Sequence, residues 1–487
     1  MACLLLVAAL VAGCTSAPDA RWSGPREPGA PLVWGPCRDI RQVRNATVEC
    51  STLTVPADWS QPGSGQMLHI ALIRARVAGQ RDRIGSLVIN PGGPGASGVD
   101  YAAYFASAAP EELLRRFDIV GFDPRGVGRS SPVTCLPDRF KDESAAAEPD
   151  PVTQAQFDEA VLMARQVARL CAPVAGRRYS TRQTVYDVEA IRAALGDEKL
   201  TYLGYSYGTL LGAVYAHQYP SRVRAAVLDG AVDPGQDFVT ASEGQAAGFE
   251  RAFTNFAAWC TETAVSCPIG PDAKAATIAL MDSARRKPSA HQGRQATAGW
   301  ILLAVLASLY QRADWPILAR ALADLRAGDP ARLFRIADTF YSRDPSGRYT
   351  NLIDANLAIN CTDEGQSSTV EDIRRLQGSW RAKYPLFGAN LAVSLLPCAL
   401  WGPGRDPYEA GPAAGAPPIL VIGTKGDPAT PYEQTASLAA LLGTGRVLTW
   451  EGEGHTAYPE TACVNDTVHQ YLIDLTAPAS GRSCPAR

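Results

Sequence analysis

The sequence predicts an α/β fold, a mostly parallel sheet with helices on both faces, carrying an inserted helical cap domain. Three observations predict it. Short β-favouring runs alternate with helical segments through the first half of the chain, the pattern of parallel strands joined by helical crossovers. A long central stretch has helical spacing in place of β signals, and strand-like runs then return near the C-terminus.

The elements follow in order. Residues 68–77 and 86–90 read as strands, the second running into Asn90-Pro91-Gly92-Gly93-Pro94-Gly95, and 117–122 is a third. Apolar spacing over 185–195 reads as a helix, 200–205 as a buried strand, 209–219 as a helix stopped by Pro220, and 223–228 as another strand. From about Pro234 to Pro397 Ala-, Leu- and Arg-rich helical segments such as 300–310 and 315–325 take over, and strand signals resume at 418–423 and 447–450. A single core with a cap accounts for 487 residues better than three domains of roughly 150 residues each. The boundaries are 34–234 for the first part of the core, 235–397 for the cap and 398–487 for the C-terminal part of the core.

The N-terminus has its own logic. Residues 4–11 form an apolar run too short for a bilayer span, which takes roughly 20 residues, and read as the apolar region of a signal peptide over 1–13. Val11-Ala12-Gly13-Cys14 resembles the lipobox of bacterial lipoproteins, which implies cleavage before Cys14 and acylation of its thiol. The Pro-, Gly-, Ala- and Ser-rich stretch within 14–33 then reads as a flexible tether, and the expected address is the cell envelope, outside the cytoplasm and lipid-anchored to the membrane. An ordinary secretory signal with an incidental cysteine is the plainer alternative. Of twelve cysteines, setting aside Cys3 and Cys14 leaves ten, an even number suited to disulfides in an exported chain. Local pairing gives Cys37 with Cys50, Cys135 with Cys171, Cys260 with Cys267, Cys361 with Cys398, and Cys463 with Cys484.

The composition is 46% hydrophobic and 20% charged, with a net charge of −3. Such a mild balance gathers neither nucleic acid nor anionic lipid, so the expected partner is a small molecule or a peptide. No cysteine or histidine spacing suggests a metal, and no cofactor is expected.

The chemistry centres on Gly204-Tyr205-Ser206-Tyr207-Gly208, a serine between an apolar strand and a helix with glycines at both second neighbours. A nucleophile elbow strains the serine so that its hydroxyl stands above the sheet, and small neighbours let strand and helix approach closely. This context marks an α/β-hydrolase with Ser206 as nucleophile. The chain has five histidines. His69, His217, His291 and His469 fall in a strand, a helix, a polar stretch and a C-terminal helix, whereas His455 follows a strand in a glycine-containing loop late in the chain, where the base belongs. Asp427, after the preceding strand, is the expected orienting acid, with Asp229 at the end of the strand after the elbow helix as its rival. The oxyanion hole should combine the N–H of Tyr207 with that of Gly93 or Gly92. Gly93-Pro94-Gly95-Ala96-Ser97-Gly98 also satisfies the dinucleotide-binding glycine pattern, but Pro94 removes an N–H from such a phosphate cradle.

These motifs, with Gly121-Phe122-Asp123-Pro124-Arg125-Gly126, Ala358-Ile359-Asn360-Cys361 and Asp427-Pro428-Ala429-Thr430-Pro431-Tyr432, resemble the tripeptidyl aminopeptidase and prolyl iminopeptidase-like serine peptidases of actinobacteria, from about Trp34 to Cys484. The resemblance extends to a cell-envelope serine protease that is described as a carboxylesterase as well. It implies the triad Ser206, Asp427 and His455 and a threonine near the site at Thr430. It also implies peptide hydrolysis from the N-terminus, with ester hydrolysis by the same machinery as the alternative and a non-catalytic binding lipoprotein as the minor one. Pro91 stands where prolyl iminopeptidases usually have histidine, which argues against strict proline specificity. An exopeptidase must recognise a free α-ammonium, and Asp363 and Glu364 are the expected carboxylates, unless they form only a solvated acidic turn.

Overall fold

The computed structural model describes residues 32–40, 43–44, 46–80, 82–263, 267–365 and 368–487. The signal reading over 1–13, Cys14 and residues 14–31 of the tether lie outside the described residues.

Alternate residues of the central strands point into two different apolar layers, so strands buried on both faces read as nearly continuous hydrophobic runs. Val88, Val120, Tyr202, Leu228 and Val421 belong to one layer; Ile89, Ile119, Leu203, Val227 and Ile422 belong to the other. The first layer is covered by helices Gln154–Ala175, Thr181–Ala194, Tyr207–Gln218 and Glu433–Leu442, the second by Gly98–Ala108 and Ala462–Asp474.

The strands are β1 (Gly35–Pro36), β2 (Thr47–Pro56), β3 (Met67–Arg76), β4 (Gly85–Asn90), β5 (Phe117–Phe122), β6 (Leu200–Tyr205), β7 (Val223–Asp229), β8 (Ser289–His291), β9 (Arg294–Ala296), β10 (Ile419–Gly426), β11 (Gly445–Glu453) and β12 (Arg482–Cys484). All but the β8–β9 hairpin form one sheet, in the order β1-β2-β3-β5-β4-β6-β7-β10-β11-β12. From β5 to β12 every neighbouring pair is parallel, while β1, β2 and β3 add an antiparallel edge. β2 gives a weak strand signal in the sequence because its few apolar residues are split between the faces: Val48 packs with one layer, Leu53 and Val55 with the other.

Between β7 and β10 the described chain is helical apart from the β8–β9 hairpin, beginning with Phe238–Glu262 and ending with Leu396–Ala399. Much of this insertion packs around its own aromatic core of Phe249, Phe253, Phe256, Trp300, Trp315 and Phe334. Its helix Leu352–Asp363 is anchored to the sheet domain by a buried ion pair, Lys141 to Asp354 at 2.5 Å. The other Asp354 oxygen accepts the N–H groups of Cys135 and Leu136 at 2.8 and 2.7 Å.

Five disulfides join Cys37 to Cys50, Cys135 to Cys171, Cys260 to Cys267, Cys361 to Cys398 and Cys463 to Cys484. Among the described residues no helix is long and apolar enough to cross a membrane.

Candidate active site

The turn from β6 into helix Tyr207–Gln218 holds Ser206 at φ 54°, ψ −124°, a conformation that L-residues avoid unless the surroundings impose it. The imposing contacts are local. Ser206 N donates to Asp229 O at 2.9 Å, and Thr209 returns both its N–H and its hydroxyl to Ser206 O at 2.8 and 2.6 Å. The flanking glycines are sterically required, since a Cβ on Gly204 would lie 2.3 Å from Gly208 O and one on Gly208 would lie 2.7 Å from Asn90 O.

The loop after β4 comes directly against the elbow. A Cβ on Gly92 would sit 2.4 Å from Tyr205 O and 3.0 Å from both Ser206 Cβ and Tyr207 N. Gly92 donates its own N–H to Asn90 Oδ1 at 2.9 Å, whereas no hydrogen bond engages Gly93 N–H among the described residues. Gly92 thus supplies the close approach and Gly93 the unspent donor. Tyr207 opens its helix, where N–H groups have no intrahelical partner.

At the end of β10 a tight turn directs backbone donors onto Asp427. Its Oδ1 accepts Ala429 N at 2.9 Å and Thr430 N at 2.8 Å, and its Oδ2 accepts the Thr430 hydroxyl at 2.9 Å and Thr456 N at 3.3 Å. Both oxygens lie 3.0 Å from His455 Nδ1. His455 follows β11, and its Nε2 is buried without a hydrogen-bond partner among the described residues. Burial pulls the imidazole pKa down, but the Asp427 charge and hydrogen bond, with a smaller contribution from Asp229, leave it raised overall.

Asp229, the rival acid, is engaged elsewhere. Its oxygens accept Ala457 N at 3.0 Å and Tyr458 N at 2.7 Å, and burial pushes its carboxyl up to about 7 against those hydrogen bonds. It still borders the site, because a Cβ on the next residue, Gly230, would lie 3.2 Å from His455 Cε1. The other histidines are directed away from it: His69 to Thr54, His217 to Pro412 O and His469 to the Tyr458 hydroxyl, with His291 in the β8–β9 hairpin.

The insertion reaches the site at three places, one being helix Phe238–Glu262, whose Gln245 Nε2 donates to Ala429 O at 3.0 Å and whose Arg251 donates to Asp427 O at 3.4 Å. Tyr310 O accepts His455 N at 2.7 Å, and the Tyr310 ring meets the imidazole edge-to-face with centroids 5.1 Å apart. Helix Leu352–Asp363 lies over the glycine loop, with Asn356 Nδ2 donating to Pro94 O at 3.0 Å.

The three residues expected to bind substrate divide differently from the sequence reading. Glu364 is buried and closed by Arg405 at 2.7 Å. Thr430 spends its N–H and hydroxyl on Asp427. Among the described residues Asp363 has no cationic partner; it accepts Thr181 N at 2.8 Å and the Thr181 hydroxyl at 2.6 Å, and that hydroxyl lies 2.5 Å from the Tyr207 hydroxyl. Burial pushes the Asp363 carboxyl up to about 8. The sequence reading missed Tyr310, Thr181 and Asn356, which carry no motif and reach the site only through packing.

An elbow serine, an Asp-bound histidine and a glycine loop on a parallel sheet define a serine hydrolase of α/β-hydrolase architecture. Residues 85–276 match the family model for the alpha/beta hydrolase fold, and residues 384–484 match that for TAP-like proteins. The chain is 37% identical to serine protease Hip1 of Mycobacterium tuberculosis across 99% of its own length and 96% of that protein's. It is also 37% identical to carboxylesterase B of the same organism, over 99% and 95% of the two chains. Tripeptidyl aminopeptidase of Streptomyces lividans is 31% identical over 90% and 83%. The chain belongs to this family of α/β-hydrolase serine peptidases and esterases.

Proposed function

We propose that this chain is a serine aminopeptidase that releases short peptides from free N-termini through an acyl-enzyme on Ser206. The observation that carries the reading is His455, clamped through Nδ1 by Asp427 with its Nε2 left unspent, in a chain whose elbow holds Ser206 at positive φ. His455 Nε2 takes the Ser206 hydroxyl proton as Oγ bonds to the substrate carbonyl carbon. Tyr207 and Gly93 N–H groups receive the oxyanion, and Asp427 balances the imidazolium. Collapse breaks the C–N bond as His455 returns the proton to the leaving amine. A water then repeats the sequence on the acyl-enzyme, with His455 as base, and frees the acid and Ser206. Thr430 fixes the Asp427 carboxylate.

Recognition of the free amine falls to Asp363, a buried carboxylate for which an arriving α-ammonium supplies the missing charge. Ester hydrolysis is the second reading, favoured by the carboxylesterase B relative and by the shared acyl-enzyme chemistry. Initial rates on free peptides, their N-acetylated forms and short-chain esters, with Ser206→Ala as control, test both. Loss of turnover on acetylation supports the aminopeptidase, whereas equal turnover of blocked peptides refutes it.

We place the protein in the cell envelope, held to the membrane by a lipid on Cys14, on the strength of Val11-Ala12-Gly13-Cys14. Metabolic labelling with an alkyne fatty acid should mark the wild-type chain and not Cys14→Ser; equal labelling of both refutes the anchor.

A further inference from the structure

The insertion does more than stand over the site, because one of its residues is built into the surroundings of the histidine. We propose that Tyr310 is a positioning residue for His455, so that the cap shares with the sheet domain the task of holding the catalytic base. This inference rests on the reading of His455 as base.

Three contacts carry it. The backbone of the histidine loop pairs with the cap as a short antiparallel bridge, Gln311 against Gly454, and His455 N donates to Tyr310 O at 2.7 Å. Gly454 has φ +120°, and a Cβ there would stand 3.0 Å from Tyr310 O, so the approach depends on glycine at that position. The Tyr310 ring then meets the imidazole at 5.1 Å and 85°, the favoured edge-to-face arrangement. Asp427 holds the ring at Nδ1, and the phenol ring packs against it from the cap.

Tyr310 is itself held from inside the cap. Its ring packs on Phe249 of helix Phe238–Glu262 at 5.9 Å and on Phe340 of helix Ala331–Phe340 at 5.3 Å, and Phe249 continues to Phe387 at 5.4 Å. The aromatic core of the cap is therefore continuous with the base. The titratable groups that face His455 are Asp427 from the turn after β10, Asp229 from the end of β7 and the Tyr310 phenol from the cap.

The test uses the full chain as Tyr310→Phe, Tyr310→Leu and Tyr310→Ala, with kcat and KM measured on an ester substrate and fluorophosphonate labelling rates measured across pH. Tyr310→Phe keeps the ring and should stay within about twofold of wild type. Tyr310→Ala should lower kcat by about ten- to a hundredfold with little change in KM, as expected when a general base is mispositioned. Its acid limb should move to higher pH, because a hydrated imidazole is more readily protonated and only the neutral form accepts the serine proton. Tyr310→Leu restores apolar bulk without a ring and should lose kcat in the same direction, which keeps the test open if the alanine variant fails to fold. Wild-type kcat and an unmoved acid limb in Tyr310→Leu or Tyr310→Ala overturn the inference, as does a fall in active fraction alone. An active His455→Ala overturns instead the assignment of the base.

Discussion

Asp229 holds the chain just beyond the histidine, its Oδ2 2.7 Å from Tyr458 N and both its oxygens 3.0 Å from Ala457 N. One acid thus orients the imidazole and a second fixes the loop that carries it. Asp427→Ala should lower kcat by about a thousand- to ten-thousandfold, the scale seen when the triad acid is lost. Asp229→Asn keeps one acceptor oxygen and should cost about tenfold in kcat, about 1.4 kcal/mol of barrier. Steady-state kinetics on the two variants check the order; a reversed order would make Asp229 the acid.

Two buried acids, Asp229 and Asp363, set a pH dependence of stability. Asp229 and Asp363 rise from an ordinary 3.8 to about 7 and about 8 in the folded chain, so between those values the native state holds protons that the unfolded state has released. Their stabilising contribution is complete below pH 3.8 and is lost as pH rises through the folded values. His455, also raised, acts in the same direction above its ordinary 6.5. The melting temperature should fall between about pH 5 and pH 8, and Asp229→Asn with Asp363→Asn should flatten the profile. A Tm rising over that range in the wild type would contradict these burials.

Gly92→Ala places a methyl 2.4 Å from Tyr205 O at φ +91°. The elbow or the glycine loop must shift, and the oxyanion donors move with it. Activity should fall by about a hundredfold or more, the scale of losing one donor, while circular dichroism stays native. Activity near wild type would mean that the loop yields without cost.

Arg125 is fully buried and spans three segments. It donates to both Asp187 oxygens at 2.7 and 2.6 Å, to Ala57 O and Pro56 O at 2.9 and 3.2 Å, and to Arg178 O at 2.8 Å. Removing one partner leaves an uncompensated buried charge, so Arg125→Ala should destabilise the fold by about 3–5 kcal/mol in urea unfolding. A loss below about 1 kcal/mol would mean that water reaches Asp187.

Asp363→Asn separates substrate classes. It should raise KM for peptides with a free amine and leave KM for esters unchanged, because only the former bring a charge to the site. Equal effects on both would assign Asp363 to packing.

The core of the site was legible because its signals are local. Glycines at the second neighbours of Ser206 follow from how closely Gly204 and Gly208 must pack, and His455 and Asp427 stand after consecutive strands, where this topology brings them together. The rest depends on contacts that no spacing encodes. Tyr310 reaches His455 across 145 positions, and Thr181 meets Asp363 across 182. Glu364 is closed by Arg405, which lies 41 positions further along the chain and belongs to no motif. Between Asp229 and Asp427 the sequence offered two strand ends of the same kind, and the hydrogen bonds of the histidine loop separate them.

The five disulfides close rings with sequence separations of 13, 36, 7, 37 and 21 residues. None encloses another, so a chain made from its N-terminus can complete each bridge soon after the second cysteine emerges, before the next pair exists. Successive oxidation in that order leaves few free thiols at any moment and little opportunity for mispairing. A protein with ten bridging cysteines can thereby mature with modest need for disulfide reshuffling.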